Sequence, residues 1–364
     1  MKIFSYFGVM KNKKKKVLLA YNEPSPELYH KYSQESKDKL EFIPYFEVEQ
    51  LSPMEEYEIM AKKLSEVEFE PTTLNILDNI HILINEIKNN PPDVIFNFIE
   101  IYNENPRLEM NIVGLFELMR IPYTGASPTA LVNCQSKVLT KRILGACGIK
   151  SPRFILIKKQ KSRYVHNLRY PLMIKPAFED ASVGIENDSI VFNHKELLAR
   201  VNYVLNYFSQ PALVEEFIEG RELNVAVIGD INPFALPLSE IDFSSMPDHL
   251  HNIVSYQAKW DPLHEAYHKT IPICPAQLPG WIGNKAKKIA LAAFKEMGCR
   301  DYARIDMRLD KENELYVLEV NPNPDLTEDM GFMRSAEAAG ISYIEALTNI
   351  INFAYARGKR FRKQ

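Results

Sequence analysis

Two alternating runs of apolar and polar residues lie within residues 300–327, and a polar break separates them. Alternation of this kind is typical of β-strands with one buried face, so the pattern predicts an antiparallel hairpin. A two-residue turn at Glu312 and Asn313 would set its register. In that register three pairs form one continuous apolar face: Ile305 with Val320, Met307 with Leu318, and Leu309 with Tyr316.

The opposite face of the predicted hairpin places two acids against each other. Asp306 lies across from Glu319, with Cβ atoms about 5 Å apart, and like charges at this distance destabilise a sheet unless a cation lies between them. Asn321, opposite Arg304, adds an amide oxygen, and carboxylate and amide oxygens are ligands that Mg²⁺ prefers. We therefore predict a metal-binding hairpin; a solvated charged face is the alternative. The remaining predicted pair on this face is Arg308 with Val317.

The N-terminal part alternates between strand-like and helix-like segments. Four segments follow one another: an apolar strand at residues 17–20, a helix at 74–87, a largely apolar strand at 93–100 and a helix at 109–119. This rhythm predicts a small parallel α/β domain, with ligands at the carboxyl ends of its strands. Glu23 and Glu100 follow the two strands and are candidate ligand-binding residues, although each also fits a solvated loop.

Three lysines are candidate phosphate ligands. Lys175 ends an apolar strand just before a loop of small residues, 178–184, whose backbone N–H groups would form a phosphate cradle beside the ammonium. Lys137 begins the second of two helical segments within residues 126–150, and Lys259 lies further along the chain. A single lysine is more often a solvated surface charge, so this interpretation requires a fold that brings the three together.

Length and composition limit the number of domains and the class of protein. A length of 364 residues indicates two or three domains, and a net charge of −3 argues against nucleic-acid binding driven by phosphate contacts. The four cysteines form no C-x-x-C pair and are expected to be reduced thiols. No apolar run reaches the length of a membrane span, and the first lysine run follows the short apolar start, unlike a signal peptide. We expect a cytoplasmic enzyme that binds neither nucleic acid nor membrane.

Several common catalytic motifs do not occur in the sequence. It has no G-x-x-x-x-G-K-[ST] loop, no G-x-G-x-x-G after a strand and no G-x-S-x-G elbow. Zinc is an alternative for a histidine-rich segment, but the spacing does not match the usual tetrahedral sets and no cysteine is near in sequence. The histidines concerned are His249, His251, His264 and His268.

Six parts of the chain carry a family resemblance when they are taken together. They are Lys137, residues 174–184, 215–222, 256–259, 303–306 and 318–321, and residues 121–125 and 338–346 also fit. They resemble the ATP-grasp ligases, and within these the D-alanine–D-alanine ligase branch. The resemblance implies an α/β fold, α+β in the ATP-grasp part, with three units at residues 1–130, 131–214 and 215–364. ATP would lie between antiparallel sheets of the second and third units.

The resemblance also implies nucleotide-binding roles at the matching positions. Lys137 and Lys175 would contact the phosphates, and Lys259 would reach the γ-phosphate. Ser182 and the amides of its loop would close over the β- and γ-phosphates. Other residues would contact the base and the sugar. Glu215 and the backbone around Phe217 would meet the adenine, and Glu222 would meet the ribose.

The remaining implied roles concern metal binding and chemistry. Asp306, Glu319 and Asn321 would hold two Mg²⁺ ions, with Mn²⁺ as an alternative. The γ-phosphoryl group would pass to a small-molecule carboxylate to give an acylphosphate, and an amine would attack it. Arg304, together with Lys259 and Ser182, would form the catalytic set, with Arg304 stabilising the oxyanion. The family likeness suggests a homodimer.

The chain departs from the family pattern where the substrates would bind. Asp325 replaces a glycine whose N–H would help the oxyanion, and Met330 replaces a serine that grips the carboxylate of the second amino acid. Glu100 replaces a histidine, and the first strand ends at Glu23 instead of a glycine pair. Asp180 replaces a usual glycine of the phosphate loop. Four extra acids, Glu100, Asp325, Glu328 and Asp329, predict a substrate that bears an amine or another cation, rather than a free carboxylate held by a serine.

Three functions follow from this sequence. The first is an ATP-dependent carboxylate–amine ligase of the D-alanine–D-alanine ligase-like group with a different amino acid or amine acceptor. The second is an authentic D-alanine–D-alanine ligase, against which Asp325 and Met330 argue. The third is a nucleotide-binding module without ligase activity, against which the complete set of candidate catalytic residues argues.

Overall fold

The N-terminal part contains a parallel sheet. The computed structural model describes residues 14–23, 53–179 and 181–361. Strand β1 (Lys15–Tyr21) pairs in parallel with β2 (Phe69–Asn75) on one side and β3 (Val94–Phe98) on the other. The predicted strands at 17–20 and 93–100 are thus confirmed, and they form a parallel sheet as expected. The helices here are α1 (Pro53–Ser65), α2 (Ile80–Asn89) and α3 (Glu109–Leu118).

The helix predicted at residues 74–87 begins too early. Leu74 belongs to β2, where it pairs with Ala20 of β1. The helix starts only at Ile80, because Asn79 caps it by accepting a hydrogen bond from the backbone N–H of His81. The apolar spacing could not separate the end of the strand from the start of the helix.

Two short helices lead from the parallel sheet to the rest of the chain. They are α4 (Pro128–Gln135) and α5 (Lys137–Ala146). Ser127 and Ser136 cap them, each with a side-chain oxygen that accepts a backbone N–H of the first turn. Both predicted helical segments are therefore confirmed, and Lys137 is the first residue of the second.

A four-stranded antiparallel sheet follows. Its order is β4 (Phe154–Ile157), β7 (Ala212–Glu216), β5 (Leu172–Pro176) and β6 (Ile190–Val191). Helix α6 (His194–Tyr207) buries Leu197, Val201 and Val204 against the strands. The sequence-based division between residues 214 and 215 falls inside β7, which pairs with β4 and β5 along its whole length.

The C-terminal part is a six-stranded antiparallel sheet with surrounding helices. The strand order is β11-β10-β8-β12-β13, and β9 pairs with β8. The strands are β8 (Arg221–Gly229), β9 (Phe234–Ala235), β10 (Ser239–Asp242), β11 (Ile271–Ile273), β12 (Asp301–Leu309) and β13 (Leu315–Asn321). The helices are α7 (Tyr256–Trp260), α8 (Glu265–Lys269), α9 (Gly280–Glu296), α10 (Gly331–Ala338) and α11 (Tyr343–Phe361). Within the described ranges, no helix is long and apolar enough to cross a bilayer.

The predicted hairpin exists, but its register is correct only for its acidic half. Asp306 pairs with Glu319, as predicted, and Ile305 with Val320. The register then shifts by one residue, so that Leu318 is an unpaired bulge residue. The predicted two-residue turn is wrong because the strands end earlier, and a loop with Asn313 in the left-handed region joins them. Beyond the bulge the pairs are Met307 with Val317, Arg308 with Tyr316 and Leu309 with Leu315.

The parallel sheet and the C-terminal sheet share one hydrophobic core. Leu19 of β1 and Phe96 of β3 belong to the same buried cluster as Ile228 of β8 and Leu347 of α11. A buried ion pair lies close to this contact. Arg357 donates to both carboxylate oxygens of Asp301 at 2.6 and 2.7 Å and to the carbonyl oxygen of Tyr123 at 2.9 Å. These contacts tie α11 to the first residue of β12.

Candidate active site

A buried carboxylate lies between two lysines in the middle of the molecule. Glu215 of β7 forms ion pairs with Lys175 of β5 at 2.7 Å and with Lys141 of α5 at 2.9 Å, and all three side chains are buried. Burial alone would raise the pKa of Glu215, but the charges of Lys141 and Lys175 outweigh it and lower the pKa to about 2. The trio therefore carries a net positive charge.

The loop after β5 closes over this positive region. Lys137 is buried and its ammonium donates to the backbone oxygen of Glu179. The hydroxyl of Ser182 donates to the backbone oxygen of Val254 at 2.9 Å, and Trp260 Nε1 donates to a loop carbonyl at 2.8 Å. The segment that carries Lys259 thus holds the loop. Asp180, whose effect on the loop was a prediction, lies outside the described residues.

Gly184 shows why this loop needs a glycine. Its φ is +75°, a conformation that side chains rarely adopt, and a Cβ there would lie 2.6 Å from Cγ of Pro176. Ala181 and Ser182 also have positive φ values, of 52° and 63°. The positive φ values of Ala181, Ser182 and Gly184 give this loop a tight turn, and its role as a phosphate cradle next to Lys175 remains a prediction.

A second buried ion pair lies at the start of β8. Glu222 accepts a hydrogen bond from Arg308 Nη2 at 2.7 Å. Burial raises the pKa of Glu222. The charge of Arg308 lowers this pKa, and the charge of Asp306 raises it further. The guanidinium of Arg308 also lies 5.3 Å from the ring centre of Phe217 and 5.6 Å from that of Phe243. Two aromatic rings beside an ion pair are suited to contact one end of a nucleotide.

The acids of the hairpin lie on adjacent strands, as predicted. Asp306 is buried and accepts two hydrogen bonds from Arg304 at 2.8 Å, one from Asn224 at 2.8 Å and one from Asn321 Nδ2 at 2.9 Å. The amide of Asn321 also approaches Glu319, at 3.4 Å. Arg304 therefore contacts Asp306, even though the residue paired with Asp306 across the hairpin is another acid, Glu319.

The donor set of this hairpin fits a divalent cation. Two carboxylates, of Asp306 and Glu319, and one amide, of Asn321, are hard ligands on adjacent positions of one rigid hairpin. In the described ranges no group of three or more His, Cys, Asp or Glu side chains is arranged to hold a metal. The set found here contains only two such residues, and its third member is an amide.

The lysines of the middle sheet act on the acids of the C-terminal sheet. Burial would raise the pKa of Glu319, but the charges of Lys137, Lys175 and Arg304 outweigh it and lower the pKa. Desolvation and the charge of Arg304 lower the pKa of Lys259, whereas Glu319 counteracts them. Helix α5, which begins with Lys137, packs against β13, which carries Glu319 and Asn321, so candidate phosphate ligands and candidate metal ligands lie on neighbouring elements.

The charges of the three candidate substrate acids all act on one tyrosine. Burial is the main cause that raises the pKa of Tyr57, and the charges of Glu100, Glu23, Asp325 and Glu56 raise it further. The ring of Tyr57 lies 4.8 Å from the ring of Phe98 between centres. Whether these acids bind substrate remains a prediction.

The histidine-rich segment is not a zinc site in the described part of the chain. Each of three imidazoles makes a local contact instead. His249 pairs with Glu265 at 2.9 Å, His264 Nδ1 accepts the backbone N–H of Ala266, and His268 Nε2 lies 2.9 Å from a backbone oxygen. These contacts organise the two short helices α7 and α8.

Three residues of the cleft were not recognised from the sequence as part of it. Lys141 lies one helical turn after Lys137, and this spacing could have shown that both face the same way. Arg308 was assigned only to the charged face of the hairpin, because a cation beside buried rings has no local pattern. Tyr57 had no signal, since the segment around it could not be assigned.

A parallel sheet followed by two antiparallel sheets that enclose lysines and acids defines an ATP-grasp ligase. The family model for the D-ala D-ala ligase C-terminus matches residues 144–352. A D-alanine–D-alanine ligase from Carboxydothermus hydrogenoformans is 36% identical over 249 residues, which cover 66% of this chain and 75% of the relative. The chain therefore belongs to the D-alanine–D-alanine ligase family, whose members form carbon–nitrogen bonds.

Two further comparisons give an uncharacterized relative and a structural neighbour. An uncharacterized protein of Sinorhizobium fredii, y4sG, is 30% identical over 274 residues, covering 73% of this chain and 78% of that protein. The solved D-alanine–D-alanine ligase from Bacillus anthracis, complexed with ATP, has a TM-score of 0.68 and 24% identity, and the match covers 96% of this chain and all of that chain. The structural likeness confirms the predicted fold.

Proposed function

We propose that this protein is an ATP-dependent carboxylate–amine ligase that works through an acylphosphate and uses an amino acid or amine acceptor other than D-alanine. One observation carries the proposal: helix α5 packs against β13, and α5 carries Lys137 and the Lys141 that shares Glu215 with Lys175, whereas β13 carries Glu319 and Asn321. Cations suited to phosphates and acids suited to Mg²⁺ thus face the same space. Phosphoryl transfer needs this combination, because catalysis rests on positioning and on neutralising charge.

The nucleotide would extend along the cleft between the two antiparallel sheets. Lys137 and Lys175 would bind its phosphates, and the Ser182 loop would close over them. Glu222 and the backbone at Phe217 would meet the ribose and the base. The contacts of Glu215 favour a role other than contact with the adenine. Its carboxylate bridges the two ammonium groups, at 2.9 Å from Lys141 and 2.7 Å from Lys175.

The hairpin and its neighbours would carry the chemistry. Asp306, Glu319 and Asn321 would hold Mg²⁺, which when bound neutralises charge on the phosphates. The two hydrogen bonds that Arg304 donates to Asp306 fix its guanidinium in place, so that it can stabilise the oxyanion formed when the amine attacks the acylphosphate. Phosphate would then leave and an amide would remain.

The acids at the other end of the cleft support a cationic substrate. Glu23, Glu100 and Asp325 act together on Tyr57. A positively charged group would gain both from their charge and from the aromatic rings of Tyr57 and Phe98. This is the sequence-based hypothesis, and it remains a proposal.

Phosphate release from Mg-ATP tests the proposal. The purified chain would be given L- and D-amino acids, diamines and dipeptides, singly and in pairs. Release with a pair other than two D-alanines, together with the mass of an amide product, supports it. ATP binding without release under any condition contradicts it.

A second candidate is D-alanine–D-alanine ligase itself. The name of the Carboxydothermus relative, at 36% identity, favours it. Release with D-alanine alone, giving the D-alanyl-D-alanine mass, would establish this function and would show that Asp325 and Met330 do not exclude D-alanine.

A further inference from the structure

Two guanidinium groups meet at the start of helix α10. The position that a Cβ would take at Gly331 lies 3.8 Å from Arg304 Nη1 and 3.9 Å from Arg334 Nη2. Glycine therefore leaves open a space that both cations border. Arg304 already uses Nε and Nη2 for Asp306, so Nη1 is the nitrogen that it turns toward this space.

Arg334 lacks the acidic partner that a partly buried arginine usually has. Its Nη1 donates to the backbone oxygen of Asp329 at 2.6 Å, but its Nε is buried and makes no hydrogen bond to the described residues. Within those residues no carboxylate forms an ion pair with it. Burial is the main cause that lowers the pKa of Arg334, and Arg304 adds to it, while Cys274 and the charge of Asp329 act against it. An unsatisfied, partly desolvated guanidinium is suited to an anion.

The helix adds to the same preference. No side chain caps the first turn of α10, which begins at Gly331 after Met330. Uncapped N–H groups at a helix start favour negative charge. Phe332 and Met333 bury the other side of this turn, so the helix start is held rigidly. Two cations and the helix start therefore act on one small space next to Asp306.

We propose that Arg334 binds the carboxylate of the acceptor substrate in the space at Gly331, and so selects an amino acid over a simple amine. Arginine would thus take over a task for which Met330 has no polar group. The identity of the ligand as an acceptor rests on the proposed ligase function. A charged substrate would then present its amine toward the hairpin while Arg334 holds its far end.

The test compares each substrate with its carboxamide. Wild type, Arg334→Met, Arg334→Lys and Gly331→Ala would be given Mg-ATP with the L-amino acids and D-alanine, each as free acid and as amide, and phosphate release would be measured. Arg142→Met is the matched control, because Arg142 is exposed on α5. Ligand-free thermal unfolding would show that every variant folds.

The expected result is a loss of selectivity. Wild type should prefer the acid over the amide by about tenfold to a hundredfold in kcat/KM, the range of a charge-assisted hydrogen bond. Arg334→Met should raise KM for the acid by that factor while KM for ATP and the reaction of the amide stay unchanged. Arg334→Lys should keep part of the preference, and Gly331→Ala should lose it because its methyl group fills the space.

Two results would overturn the proposal. One is a wild type that uses acids and amides equally; the other is an Arg334→Met variant that loses both to the same extent. If no compound releases phosphate, the ligase function fails, and thermal stabilisation of the ATP-loaded chain decides the site separately. Stabilisation by acids but not amides, lost in Arg334→Met, would support the site; no difference between them would refute it.

Discussion

Replacing Lys141 by methionine tests the buried charges at the centre of the molecule. The pKa of Glu215 falls from 4.5 to about 2 in the folded chain. This difference corresponds to about 3 kcal/mol of stability. Lys175 stays 2.7 Å from Glu215 after the substitution, and the desolvation cost of one ammonium disappears. We therefore expect a loss of about 2 kcal/mol at pH 7, less than for a fully broken buried pair.

The contribution of Glu215 to the free energy of unfolding depends on pH. A carboxylate with a lowered folded pKa stabilises the protein fully above its unfolded value, and the effect is lost as pH falls from 4.5 toward 2. In Lys141→Met the pKa of Glu215 in the folded protein should be higher than in wild type. As pH falls, the carboxylate of the variant therefore becomes protonated earlier and stops stabilising the fold at a higher pH than in wild type. The gap in stability between wild type and variant should therefore be larger at pH 7 than at pH 3, within the range where Glu215 is protonated in the variant and still charged in wild type.

Urea unfolding followed by fluorescence at pH 3, 4, 5 and 7 would measure that gap. Lys288→Met is the control, because Lys288 is exposed on α9 and should leave stability within about 0.5 kcal/mol. A gap that is the same at all four pH values would refute the reasoning. So would a variant as stable as the control.

Two other predictions concern the hairpin and the last helix. Glu319→Gln should lower phosphate release at least about a hundredfold and leave the thermal midpoint within a few degrees, because it removes a candidate metal ligand at the edge of the cleft; unchanged release would contradict the metal role. Gly358→Ala should destabilise by about 1–3 kcal/mol, since its Cβ would lie 2.1 Å from Cγ of Pro122. Gly114→Ala, in a helix with nothing within 4 Å of the new Cβ, should instead stabilise by up to about 1 kcal/mol, as thermal unfolding of both variants would show.

The sequence predicted those parts of the site that lie close together along the chain. Strand alternation placed Asp306 and Glu319 on one face, and they pair as predicted because the one-residue bulge offsets the wrongly predicted turn. The same reasoning was wrong beyond the bulge, where Leu318 has no partner. A bulge depends on how the strand packs, and Val317 and Leu318 are equally apolar, so the local pattern could not show which of them enters the core.

The strands near residues 17–20 and 93–100, the helices α4 and α5 and the acidic pair were predicted from local patterns that act within a few residues. Only the tertiary structure decided that Glu215 holds Lys141 and Lys175, and that Arg334 meets Arg304 at Gly331. These contacts join residues far apart in sequence. Burial gives them their effect, because a charge removed from water interacts strongly with whatever the fold places beside it.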